Sequence, residues 1–160
     1  MASYERRIRN GNNECAESLR VKCMSETWFM NIEPYVFTVF KKRMKDKFPH
    51  AYYTTENQNV TEKKFPCVYL HLVDQAEIGN DLDNTTVNAV RANFRVQVFS
   101  KTAAENRSIM TEAVMQLKHL RFSVTMMPVF AAERDKSVFF SDARFSRVIG
   151  AGDRDIVPQK

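Results

Sequence analysis

From Val90 to Val98, apolar and polar residues alternate without a break. Side chains alternate across an extended chain, so Val90, Ala92, Phe94, Val96 and Val98 share one side. Arg91, Asn93, Arg95 and Gln97 take the other. A strand with one apolar and one polar face belongs to an antiparallel sheet covered on one side only. Helices are the natural cover for that apolar side.

Two segments have the pattern such helices need. After Thr102, the Thr-Ala-Ala-Glu run ending at Glu105 fits a capping box. Ile109, Met110, Ala113, Val114, Leu117 and Leu120 then form one apolar stripe. An earlier helix starts near Asn31, with Glu33 and Pro34 in its first turn, where an acid and a proline are both tolerated. Phe37, Phe40, Met44 and Phe48 recur at helical spacing, widened by Val36 and Val39. Lys41, Lys42, Arg43, Lys45 and Lys47 cover its outer face, and Phe48 with Pro49 ends it. This basic run has two readings, a phosphate or acidic-protein contact and a solvated helix end.

The remaining strands are read over 51–55, over 67–73 after Pro66, over 87–100, over 122–130 interrupted by Pro128, and over 138–149. Polar loops are expected over 56–64 and 74–86. Residues 1–30 hold no sustained period and read as an N-terminal arm, with a little helix around Cys15–Met24 and with Trp28 and Phe29 docking it. Residues 31–153 form one domain, and a polar tail begins around Gly150 and Gly152 and includes 154–160. The expected fold is therefore α+β: a mostly antiparallel sheet of about five strands with two helices on one face, in the order α-β-β-β-α-β-β.

Composition narrows the class. The chain has 160 residues, 44% hydrophobic and 27% charged, which suits one globular domain and not a disordered chain. No apolar run approaches the ~20 residues of a membrane span, and the charged N-terminal stretch is not followed by the apolar segment of a secretory signal. Net charge is +5 and unevenly spread. Lys and Arg less Asp and Glu gives 10 − 6 = +4 over 1–50, 4 − 6 = −2 over 51–100 and 10 − 7 = +3 over 101–160. Such separation suits contact with an oppositely charged surface. Cys15, Cys23 and Cys67 have no CxxC spacing. Cys67 reads as a small core residue, the other two as thiols of a reducing compartment.

Chemical motifs are scarce. His50, His71 and His119 lie in no HExxH pattern, and four glycines form no phosphate-cradling loop. Asp74, Glu77, Asp81 and Asp83 cluster in the second loop, but Gly79 precedes Asp81 and Asp83 and no closing Glu follows, so the calcium-loop pattern fails. The loop reads as exposed acidic surface, either facing a basic partner or simply solvated. No catalytic residue, cofactor site or metal site is expected. A small α+β ligand-binding or enzymatic domain remains the competing class, and needs a pocket with convergent polar groups.

Several stretches resemble the tail terminator proteins of long-tailed bacteriophages. FPCVYLHLVDQAEIGNDLDN is similar to that family's proline-led strand and polar loop. NAVRANFRVQVFSKTAAENRSIMTEAVMQLKHLRFSV is similar to its long strand and following helix, and DARFSRVIGAGD to its closing strand. Together these stretches cover most of 31–153. The resemblance implies a structural virion protein without catalysis. Six copies would form a ring on the finished end of the tail tube, stop its growth and offer a surface to the neck or connector. DNA would pass through the centre without sequence recognition. Assembly would take place in the host cytoplasm and the ring would reside in the virion neck. Another neck or tail component, a head-completion adaptor or a tube subunit, shares these traits. A ring needs head-to-tail contacts between two different patches. The candidates for them are Asp74, Glu77, Asp81 and Asp83 in the acidic loop and Arg91, Arg95, Arg144 and Arg147 on strands.

Overall fold

The computed structural model describes residues 27–56, 64–79, 85–132 and 137–157. Two helices, α1 (Ile32–Lys47) and α2 (Ala103–His119), accompany five strands: β1 (Tyr52–Thr54), β2 (Cys67–Ile78), β3 (Ala89–Ser100), β4 (Ser123–Ala132) and β5 (Phe139–Gly150). The α+β class and element order match the sequence expectation. The strands form one sheet in the order β1-β2-β3-β5-β4. Among the described residues only β1–β2 is a parallel pair; the other three pairs are antiparallel. Strands β3 and β4 run the same way with β5 between them, so β3-α2-β4 is a split βαβ unit.

The core lies between the helices and one face of the sheet. The alternation in β3 is realised as written: Val90, Ala92, Phe94, Val96 and Val98 are buried. Ala143, Phe145 and Ile149 of β5 share that face. From α2, Ile109, Met110, Ala113 and Leu117 pack onto it. Thr102 caps α2 as expected, its hydroxyl accepting from the Glu105 amide at 3.3 Å. The helix ends in a Schellman motif, with the Phe122 amide on the Leu117 carbonyl and the Arg121 amide on that of Lys118. Arg121 occupies the left-handed position that glycine usually takes, at φ 61°. Asn106 is buried on this helix; its Nδ2 donates to the carbonyls of Val98 and Phe139, tying α2 to β3 and β5.

In α1 the buried row is Ile32, Val36, Phe40 and Met44. The expected stripe was centred one position off. The i, i+4 ridge beginning at Ile32 faces the core, and Phe37 lies at its flank under the Lys41 ammonium, 5.3 Å from the ring centroid. At the far end, Lys47 donates to Glu112 of α2 at 2.7 Å. That bond, with a second from Gln116, holds the Glu112 carboxyl below its usual range.

Trp28 docks in a short 3-10 turn, Trp28–Asn31, and is buried. The arm before residue 27, with Cys15, Cys23 and the helix expected there, lies outside the described residues. Cys67 is buried, as expected. The C-terminal segment differs from its reading as a polar tail, because Ile156 and Val157 join the core.

Two measurements probe this core. Phe94 is fully buried and edge-on to Phe122 at 5.6 Å. Phe94→Ala is expected to cost about 3–5 kcal/mol, seen as a lower urea midpoint at unchanged slope. Tyr53 donates its hydroxyl to the Phe48 carbonyl, and burial pushes its pKa from 10.0 up to about 12. The folded state thus favours the neutral phenol, and its stabilisation is complete below pH 10 and lost as pH rises toward 12. The stability difference between wild type and Tyr53→Phe should therefore shrink across that window.

Candidate assembly surface

Directly paired residues on neighbouring strands point to the same side of a sheet, so the register sorts every candidate onto a face. The face away from the helices carries Tyr69 and His71 from β2, Arg91, Arg95 and Phe99 from β3, and Phe140, Asp142, Arg144 and Val148 from β5. Arg91, Arg95 and Arg144 thus share this open face. Asp81 and Asp83 lie outside the described residues.

Asp74 and Glu77 sit on β2 itself, because the strand continues to Ile78 where a loop was expected. The register shifts between Leu72 and Asp74. This bulge adds one residue and reverses the alternation. Without it Asp74 would follow Leu70 and Leu72 onto the covered side. With it, Asp74 pairs with Asn93 on the open face and accepts from its Nδ2 at 2.6 Å. Glu77 pairs with Val90 and turns to the helix side, where it is exposed. The two acids therefore lie on opposite faces.

Arg95 stands directly opposite Arg144 in the β3–β5 ladder. Like charges so placed repel. Asp142 answers Arg95 with two hydrogen bonds, from Nε at 2.8 Å and Nη2 at 2.7 Å, and they hold the guanidinium firmly protonated. Arg144 remains exposed. His71 stacks on Tyr69 with ring centroids 4.6 Å apart. Burial, then the charge of Arg95, lowers the His71 pKa; burial, then Glu33, raises that of Tyr69. Glu33 reaches from the first turn of α1 to accept from the Leu72 amide at 2.9 Å, satisfying a donor on the outer side of β2. The sequence marked Glu33 only as a first-turn acid and did not mark Asp142, since each acts through a residue distant along the chain.

Arg147 departs from its reading as an interface residue. It lies on the covered face in line with Phe145 and Ile149. Its side chain is 6% exposed. It donates to the Leu120 carbonyl and to Asp153, stands 3.7 Å from Asp155 and packs over the Phe122 ring. A charge on that face is tolerated only with partners, and the turn at Asp153–Asp155 supplies them.

Near Arg147 a shallow cleft of about 470 Å³ is lined by Arg91, Arg121, Ser123, Ser146 and Val148. Among the described residues no group of three or more His, Cys, Asp or Glu side chains could hold a metal ion, and no helix is long and apolar enough to cross a membrane. Compared with known proteins, the chain matches no family model and no curated sequence.

Removing one partner of a buried ion pair costs about 3–5 kcal/mol. Arg147→Ala is expected to destabilise the folded chain on that scale. Arg144→Ala, on the exposed face, should change stability by less than about 0.5 kcal/mol. Urea unfolding of the two variants separates the role inside the protomer from the role on its surface.

Proposed function

We propose that this chain is a structural, non-enzymatic subunit that assembles into a ring capping a bacteriophage tail tube. The observation that carries the reading is the character of β4. This ten-residue strand is the last in the sheet and holds no charged residue. Met127 is 71% exposed on it, Val129 56% and Phe130 43%. A long apolar edge strand left open is an aggregation hazard, and its exposed side chains invite contact with another protein. Pro128 and two register irregularities blunt only its first part.

The two ends of the described sheet differ, β4 being uncharged and the far part of β2 carrying Asp74 and Glu77, which supports the same reading, since a head-to-tail ring needs two unlike patches on each copy. The stretches similar to tail terminators supply the particular assembly: a six-fold ring between the tail tube and the neck or connector, with DNA passing through its centre without sequence recognition. No membrane takes part, and the ring belongs to the virion after assembly in the host cytoplasm.

Light scattering with negative-stain images of the same fraction tests this. Closed rings of about six copies, without tubes, are expected. Long tubes of the protein alone make it a tube subunit. Rings that bind connectors but not tube ends make it a head-completion adaptor. A monomer that also leaves tube ends bare overturns the proposal.

A further inference from the structure

Building on the ring reading, we infer that the partner of the β4 edge is the unpaired stretch of β2 in a second copy, joined antiparallel with Val129 opposite Ala76 and with Arg107 facing Glu77. Strand β1 covers β2 only from Cys67 to Tyr69. Beyond that, no described strand pairs with the outer side of β2, and residues 73–77 are exposed. Among the described strands the sheet thus has two open edges, β4 at one end and the far part of β2 at the other. Strand β2 is antiparallel to β3, β3 to β5 and β5 to β4, so β2 and β4 run in opposite directions. Repeating the sheet head to tail places them antiparallel, as in three of its four internal pairs.

The faces then restrict the register to even shifts, and contacts on the helix side choose among them. In β4 the part free of irregularity is Val129–Ala132, paired evenly with Asp142 through Phe139. Val129 and Ala131 share the open face with Asp142 and Phe140, and Phe130 shares the helix side with Ser141. In β2, Asp74 and Ala76 are on the open face and Gln75 on the helix side. Matching faces allows Val129 opposite Ala76, Phe130 opposite Gln75 and Ala131 opposite Asp74; a one-residue slip mismatches every pair.

Chemistry on the helix side agrees. Arg107 of α2 is exposed, with its guanidinium 5.4 Å from the Phe130 ring centroid. Glu77, diagonal to Phe130 in this register, brings a carboxylate within reach of a long side chain. Between α2 and the end of β4 lies a cleft of about 230 Å³ lined by Ala103, Asn106, Arg107, Phe130 and Phe139. Asn106 is 1% exposed, and its Oδ1 has no hydrogen-bond partner in the structure. The Gln75 side chain, opposite Phe130, carries the amide donor that this acceptor lacks. Pairing two copies through their β2 edges would gather Asp74 and Glu77 of both copies along one seam, which disfavours it.

The test is a short bis-maleimide cross-link on the full chain at the concentration that gives the oligomer, with wild type treated alike as reference. Val129→Cys combined with Ala76→Cys in one chain is expected to give a ladder of linked multimers, and a mixture of the two single variants a linked dimer. Each single variant alone should give the wild-type pattern. Arg107→Glu and Glu77→Arg, each alone, should abolish the ladder in the double-cysteine chain, and both together should restore it. Rings without the ladder overturn the edge pairing and leave the ring reading standing. A linked dimer from Val129→Cys alone also overturns it, since β4 then meets β4. A chain that stays monomeric without a ladder both alone and with tail tubes, whose ends it leaves bare, overturns both.

Discussion

Every other element of this fold depends on the two-sided pairing of β3. It is hydrogen-bonded along its whole length, to β2 on one side and β5 on the other. Five of its side chains on the covered face are no more than 3% exposed. Burial of that row is the dominant favourable term available to a sheet of this size. The same strand carries Arg91, Asn93, Arg95 and Gln97 on its other face. A second layer over that face would strip two guanidinium groups of water without enough partners. The sequence of one strand therefore decides both that helices cover the sheet and that they cover one side only.

What was legible followed from period. The alternation in β3 and the stripe of α2 each repeat over several turns or pleats, so no single residue decides them. The bulge at Leu72–Asp74 was invisible because it breaks a period once, with neither Gly nor Pro to mark it. Its effect is large: it extends β2 by a polar segment read as loop and sends Asp74 and Glu77 to opposite faces. Arg147 was legible in principle. Ala143, Phe145 and Ile149 place position 147 on the covered face by strict alternation, but polarity argued for the surface. Its partners Leu120 and Asp153 flank it in space through the end of α2 and the final turn, and only tertiary structure shows that. The arginines on the open face followed directly from alternation; the pairing of Arg95 with Asp142 did not.

The open face is tuned rather than simply solvated. Arg95 and Arg144 face each other, and Asp142 compensates one of them. The remaining charge is therefore presented by Arg144 and Arg91, while Arg95 is held with its neighbours Tyr69 and His71. Bonds of this kind contribute modestly to stability, yet they fix which cations project. Arg95 is fixed in this way, whereas the exposed Arg91 and Arg144 still have rotamer entropy to lose when a partner binds this face.

An interface between two unlike edges has no two-fold axis of its own, so it adds copies until the rotation between neighbours closes the circle or fails to. Sheet twist alone does not favour a flat ring, because successive strands rotate by roughly 20–25° in one sense and a continuous sheet coils as it grows. In the proposed ring, contacts on the two faces would therefore set the angle between protomers. The helix side offers such a contact in Arg107 over Phe130 and the opposing Glu77, well off the plane of the strands. A charge pair there acts on a lever arm about the strand pairing, tilting one protomer against the next. The unpaired Asn106 acceptor lies on that same side, so the contacts able to set the tilt gather where the sheet has helices behind it, and the open face is left for a different neighbour.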